Sequence, residues 1–74
     1  MASGTDWQAE VKALLKAELK RRNVSYRELA EQLERLGVAE TEQNIATKIS
    51  RGGFSAVFFV QCLRAVGAKE LRLD

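Results

Sequence analysis

Glycine and proline, the residues that interrupt helices, leave long uninterrupted segments in this chain. The sequence contains no proline and five glycines, which lie at positions 4, 37, 52, 53 and 67. Leu, Ala, Glu, Lys, Arg and Gln dominate the stretches between them, and these residues favour helices. The pattern predicts an all-α domain over residues 5–74, a compact bundle of four to five helices. Residues 1–4 are expected to form a disordered leader.

The first segment predicts a long amphipathic helix. Thr5 or Asp6 is suited to cap its start, and Arg22 lies near its end. Asn23 suits the left-handed conformation that ends many helices. Apolar side chains recur at spacings of three and four, which predicts one inward face. That face consists of Trp7, Val11, Leu14, Leu15 and Leu19.

The second helix has the clearest start. Ser25 and Glu28 form a capping box, in which each side chain accepts a hydrogen bond from the other residue's backbone amide. Val24 and Leu29 flank this box as a hydrophobic staple, and Gly37 is expected to end the helix. The predicted inward residues are Leu29, Ala30, Leu33 and Leu36.

The third helix is predicted from Thr41, as its cap, to Ser50 or Arg51. Ile45 and Ile49 are its main apolar anchors. The fourth helix is predicted from Ser55 to near Val66, with Gly67 as its stop. Apolar residues cover nearly every face of that helix, which indicates either a buried central helix or one that also contacts a second subunit. The alternating tail Leu71–Leu73 suggests a short strand or extended edge.

The residues of this chain do not form a recognisable catalytic or metal-binding pattern. It contains no histidine and one cysteine, Cys62, which lies among apolar residues and is expected to be a buried, inert thiol. We expect no enzymatic activity, cofactor, metal or small-molecule substrate. No apolar run approaches the ~20 residues of a membrane span. A single unpaired cysteine suits a reducing compartment, so a cytoplasmic protein is expected.

Polar side chains on the third helix have the chemistry of base recognition. Asn and Gln can pair with adenine, and Arg and Lys with guanine. The hypothesis assigns base contacts to Gln43, Asn44, Thr47 and Lys48. It assigns phosphate contacts to Lys16, Lys20, Arg21, Arg22 and Arg51. Residues 25–50 carry three basic and five acidic side chains, which opposes DNA binding, and an ordinary solvated face explains the same residues.

The order of these segments resembles phage-repressor helix-turn-helix domains. The string Val24-Ser25-Tyr26-Arg27-Glu28-Leu29-Ala30 resembles the first helix of that motif, and Ile49-Ser50-Arg51-Gly52 the end of its recognition helix. The resemblance implies double-stranded DNA as partner, a role in transcription regulation and helix 41–51 in the major groove. Ala30 to Gly37 is longer than the usual spacing. Aligning the motif from Thr41 puts Ile45 in the buried position, whereas aligning it from Gly52 puts Ala46 there.

A tighter resemblance, which covers nearly the whole chain, is to a family of short bacterial proteins catalogued as a domain of unknown function. Strings that carry it include Lys-Ile-Ser-Arg-Gly-Gly-Phe at 48–54 and Gln-Cys-Leu-Arg-Ala-Val-Gly at 61–67. This resemblance implies a fold and a bacterial origin, and it implies no activity.

The alternative is a non-catalytic protein-interaction module or a homodimer. Phe54, Phe58 and Phe59 form a dense aromatic segment that suits a partner interface. In a monomer, Trp7 and the Leu71–Leu73 tail would instead close the core over these rings. Another contact surface for a protein partner is the acidic face of the second helix.

Overall fold

The computed structural model describes residues 6–73, and within them the chain forms four helices and no strand. The helices are α1 (Trp7–Arg21), α2 (Tyr26–Arg35), α3 (Glu42–Arg51) and α4 (Ala56–Ala65). The all-α class is therefore confirmed, and the described residues contain no fifth helix. The predicted leader at residues 1–4 lies outside the described residues, as does Thr5.

Each helix begins at a polar side chain that accepts a backbone hydrogen bond from the first turn. Such caps satisfy amide groups that have no partner inside the helix. The capping box of α2 is complete, since Ser25 Oγ accepts from the Glu28 amide at 3.1 Å and Glu28 Oε1 accepts from the Ser25 amide at 2.9 Å. The four capping residues are Asp6, Ser25, Thr41 and Ser55. Ser25 and Thr41 were predicted as caps, Asp6 was one of two alternatives, and Ser55 was the predicted start of the fourth helix.

The core is built from one pair of residues on each helix, and the members of every pair are four positions apart. That spacing puts both side chains of a pair on the same helical face. The pairs are Leu15 and Leu19, Leu29 and Leu33, Ile45 and Ile49, and Phe58 and Cys62. Burial of each large apolar side chain stabilises the fold by about 1.5–3 kcal/mol.

The helices pack in a closed ring of contacts. Both α1 and α2 pack against α3 and also against α4. Each helix therefore buries its apolar pair between two neighbours. This arrangement leaves the outward face of every helix exposed, including the polar face of α3.

At the start of α1, Gln8 and not Trp7 lies on the helical face that carries Leu15. Trp7 is 71% exposed, so its predicted inward position is wrong. A helix turns by about 100° per residue, and counting back from Leu15 puts Gln8 on the same face. Gln8 lies directly against Gly52, where an added Cβ would be 3.0 Å from the Gln8 carbonyl oxygen.

Two other predicted core positions are exposed. Leu36 is 52% exposed because it ends α2 and lies outside the ring of helix contacts. Of the two alternatives for α4, that of a buried central helix is wrong, since Val57 and Val60 are 66% and 53% exposed. Val57 and Val60 lie about 100° and 160° around α4 from the buried Phe58.

The C-terminal tail does not form the predicted strand. Residues 68–73 have no regular secondary structure. Leu73 is 71% exposed, so neither it nor Trp7 closes the core. The tail instead borders a shallow groove on α1, which Ala13, Leu14 and Ala17 line.

Candidate nucleic-acid interface

Two isoleucines fix the orientation of α3. Ile45 and Ile49 are both 0% exposed, whereas Ala46 is only partly buried. Ile45 is therefore the buried residue, which settles the one-residue ambiguity left by the sequence. At the start of the helix, Thr41 Oγ1 accepts from the Asn44 amide at 3.0 Å. At its end, Gly52 adopts φ +75°, which suits glycine.

The outward face of α3 is polar. Gln43, Asn44 and Thr47 are exposed, and so is Arg51 in the last turn. At about 100° per residue these four side chains fall within an arc of about 100°, with Thr47 opposite the buried isoleucines. The structure thus brings three of the four predicted base-contacting residues onto one exposed surface. We call Gln43, Asn44, Thr47 and Arg51 the polar arc.

Lys48, the fourth predicted base contact, is engaged by the protein itself. Its ammonium forms an ion pair with Glu40 and lies 4.7 Å from the centre of the Phe58 ring. The Lys48 side chain is 43% exposed and the Glu40 side chain only 11%. A carboxylate buried to this degree is stabilised by a charged donor. This pair joins the α2–α3 connection to the face of α3 beside the polar arc.

Arg21 and Arg22, two of the predicted phosphate contacts, both bind Glu18. Arg21 Nη1 lies 2.7 Å and Arg22 Nε 3.3 Å from the Glu18 carboxylate, which is 3% exposed. A buried carboxylate requires such partners, because an unpaired charge would be poorly solvated. The two arginines therefore stabilise the end of α1, and Glu18 offsets part of their positive charge.

Three lysines at spacings of four, Lys12, Lys16 and Lys20, form a stripe along α1 that begins beside the end of α3. Lys12 Nζ donates a hydrogen bond of 3.0 Å to the Ser50 carbonyl oxygen. Lys16 and Lys20 follow at spacings of four and are exposed. At 1.5 Å per residue, Lys16 lies about 6 Å further along α1 than Lys12. These two predicted phosphate contacts thus continue a stripe that starts beside the C-terminal end of α3.

An open cavity of about 540 Å³ lies where α3 ends and α4 begins. Arg51 borders it together with Lys48, so the cavity has two basic side chains in its wall. The first turn of α4 contains no acidic residue, and the positive end of that helix dipole is not neutralised there. The remaining lining residues are Gln8, Gly53, Phe54, Ser55 and Phe58.

The three phenylalanines pack mainly against one another and the core. Phe58 is buried, and Phe54 and Phe59 are partly buried against the core cluster. The Phe54 ring lies 5.6 Å from the ring of Phe58 and 5.9 Å from that of Phe59. The most exposed apolar side chains of α4 are instead Val57 and Val60.

Cys62 is completely buried, as its apolar sequence surroundings predicted. Burial, and to a lesser degree the nearby Glu40 carboxylate, raise the pKa of the Cys62 thiol to about 12, while Lys48 acts in the opposite direction. The nucleophilic form of cysteine is the thiolate. Cys62 is therefore protonated at neutral pH. Across residues 6–73, no three His, Cys, Asp or Glu side chains are grouped as metal ligands.

The contacts of two residues at this site were not predicted from the sequence. Glu40 precedes the cap of α3 and so lies outside the helix, where helical periodicity does not relate it to Lys48. No sequence signal identifies that pair. Gln8 carried a usable signal, because it precedes Leu15 by seven positions and so shares its face.

Fold and site together define a small all-α domain whose third helix exposes a polar face beside a basic stripe. None of the described helices is both long enough and apolar enough to cross a membrane. The chain belongs to the family described as Domain of unknown function (DUF6471), which matches residues 7–71. The match includes all of α1 to α4, and it confirms the resemblance to a family of unknown function. No curated protein and no solved structure gives a significant match to the chain.

Proposed function

We propose that this chain is a non-catalytic DNA-binding domain of the kind that regulates transcription, and that α3 enters the major groove. The observation that carries the proposal is the polar arc. It is an exposed set of amide, hydroxyl and guanidinium groups on a helix that two buried isoleucines hold in place. An α-helix fits the major groove, and these groups match the donors and acceptors of base edges and phosphates.

The packing of α2 against α3 supports a helix-turn-helix interpretation. In that motif the second helix reads base edges with its N-terminal residues, while other residues contact phosphates. Gln43 and Asn44 lie in the first turn of α3 and Thr47 in the second. The connection between the helices, residues 36–41, is longer than the usual tight turn.

The charges of the site suggest which side chains contact phosphates. Arg51 lies at the end of the polar arc, and Lys16 and Lys20 extend from the same end of α3 along α1. Arg21 and Arg22 contribute less on this proposal, because Glu18 already binds both. The net charge of the whole chain is +2, so local placement of the basic groups has to supply the attraction.

Fluorescence anisotropy of a labelled mixed-sequence duplex tests the proposal. Binding should weaken steeply between ~50 and ~200 mM salt, because phosphate neutralisation releases counterions. Arg51→Ala should reduce the magnitude of the slope of log K against log salt by about 0.9, the value for the removal of one phosphate-neutralising charge. The matched control is Arg35→Ala, which removes the same charge from an exposed position in the last turn of α2. Equal effects of the two variants, or no binding at low salt, would contradict the proposal.

A second candidate is self-association through an apolar groove beside α4. Leu36, Val38 and Val60 line this groove of about 500 Å³, with Gln61 and Arg64 at its polar part. A second copy of this chain is the proposed occupant, since a two-fold contact brings the same patch together from both subunits. Such a homodimer would also present two copies of α3, as a palindromic DNA site requires.

Sedimentation equilibrium of Val60→Glu tests self-association. A dimer held through this groove should dissociate, because the variant would bury a carboxylate without a partner. Ala17→Glu places the same charge on an exposed position of α1 and serves as control. A wild-type monomer at all concentrations, or loss of the dimer in both variants, would exclude the groove as the interface.

A further inference from the structure

We infer that the base-reading end of α3 selects adenine–thymine base pairs, because its exposed side chains are amides and a hydroxyl while Glu40 holds the nearby lysine. This inference rests on the proposed function and adds to it the class of base pair recognised. It concerns the first two turns of α3, where a recognition helix contacts base edges.

The exposed amides have the chemistry of adenine recognition. Gln43 and Asn44 can each donate to adenine N7 and accept from the N6 amino group. No hydrogen bond engages either side-chain amide within residues 6–73. Thr47, at the centre of the polar arc, carries a methyl group that can pack against the methyl group of thymine. Three adjacent exposed residues therefore favour the same class of base pair.

Two basic side chains of α3 could favour guanine, but neither is placed to contact a base. Lys48 is held in an ion pair, and Arg51 lies beyond the base-reading end of the helix. Lys48 pairs with Glu40, and its departure to a base would leave an 89% buried carboxylate without a charged partner, since the Glu40 side chain is 11% exposed. Arg51 follows Asn44 by seven residues, which places it about 10 Å further along the helix. It borders the cavity at the start of α4, in a position that suits a phosphate contact.

Glu42 does not change this assignment. A carboxylate can accept a hydrogen bond from the amino group of cytosine. Glu42 is five positions before Thr47, which places it about 140° around the helix from the centre of the polar arc. It therefore points away from the surface that would face the bases.

The test is selection of binding sites from a randomised DNA duplex pool, followed by base-analogue substitution in the best duplex. We expect the enriched positions to be A·T pairs. Replacing adenine by 7-deazaadenine removes the N7 acceptor but keeps base pairing, and should weaken binding about five- to 150-fold at each adenine that an amide recognises. Replacing guanine by 7-deazaguanine in the same duplex is the control and should have little effect. Asn44→Ala should abolish the sensitivity to 7-deazaadenine at one position.

The outcomes separate this inference from the proposed function. Enrichment of guanine, or binding that is indifferent to 7-deazaadenine, overturns the A·T assignment but leaves DNA binding intact. Absence of binding to any duplex overturns the proposed function and the assignment with it. The variant Glu40→Gln gives an independent check, since release of Lys48 should increase the affinity for duplexes with guanine beside the adenine positions.

Discussion

The two connections that flank α3 hold it by different means. At the α3–α4 connection, residues 52–55, Gly52 is buried against the backbone of α1, and an added Cβ would lie 3.0 Å from the Gln8 carbonyl oxygen. At the α2–α3 connection, residues 36–41, Gly37 has a similar φ of +82°, but nothing lies within 4 Å of an added Cβ. There the ion pair between Glu40 and Lys48 connects the loop to α3.

This difference separates structure from candidate function along one helix. The C-terminal end of α3 is fixed by backbone packing, which almost any side chain at position 52 would disturb. The connection that precedes the proposed base-reading end is held by side chains instead, since Glu40 pairs with Lys48 in the last turn of α3. Substitutions there should alter the charge of the surface while the fold persists. Variants on the two sides of α3 test this contrast, and Gly52 is the position where we expect the greatest loss of stability.

Gly52→Ala should destabilise the protein far more than Gly37→Ala. Both variants place a Cβ in the left-handed conformation, which costs roughly 1–2 kcal/mol. Only Gly52→Ala adds a close contact with backbone atoms, so we expect a total of about 3 kcal/mol. Urea unfolding followed by circular dichroism measures both values. Equal losses of stability in the two variants would show that packing against Gln8 contributes nothing.

Glu40→Gln should lower the free energy of unfolding by about 1 kcal/mol, because it removes the charge of a largely buried carboxylate that pairs with the half-exposed Lys48. Glu31→Gln is the control, since it disrupts an exposed pair with Arg27 at 4.0 Å. That control should change the stability by less than about 0.5 kcal/mol. A cost for Glu40→Gln no greater than that of the control would mean that the ion pair does not hold the α2–α3 connection.

Alkaline pH should narrow the stability difference between the wild type and Cys62→Ala. The pKa of Cys62 is raised in the folded protein from 9.0 to about 12. Well below pH 9 the thiol is protonated in both states, so it adds no pH dependence there. Between these two pKa values the unfolded chain loses the thiol proton and the folded protein keeps it, so the wild type loses stability as pH rises.

Urea unfolding of both proteins at pH 8 and at higher pH measures this effect, since groups common to both cancel in the difference. In a Glu40→Gln background the loss of stability at alkaline pH should be smaller, because Glu40 contributes to the raised pKa of Cys62. A stability difference that stays constant with pH would show that the thiol has an ordinary pKa.

Local sequence signals predicted most of the fold. Caps such as Ser25 and Thr41 mark helix starts through hydrogen bonds within one turn, and Ile45 and Ile49 mark the buried face of α3. These signals involve residues a few positions apart, so they can be read without a three-dimensional structure. The polar arc could be predicted for the same reason, as the face opposite those anchors.

The missed features depend on contacts between distant segments. Leu36 has the right spacing for burial, yet it lies past the end of α2, where no neighbouring helix covers it. Glu40 pairs with Lys48 through the fold, and Gln8 meets Gly52 only because α1 crosses the α3–α4 connection. Periodicity says which face a residue lies on. It does not say where along its length a helix is covered by its neighbours.

The most direct test of the central claim is a ¹⁵N–¹H correlation spectrum recorded during titration with a short DNA duplex. We predict that the largest shifts occur at the backbone amides of residues 43–51 and at the side-chain amides of Gln43 and Asn44. Smaller shifts should appear at Lys16 and Lys20. Shifts concentrated instead on Val57, Val60 and their neighbours, or an unchanged spectrum, would contradict the claim that α3 is the DNA-binding surface.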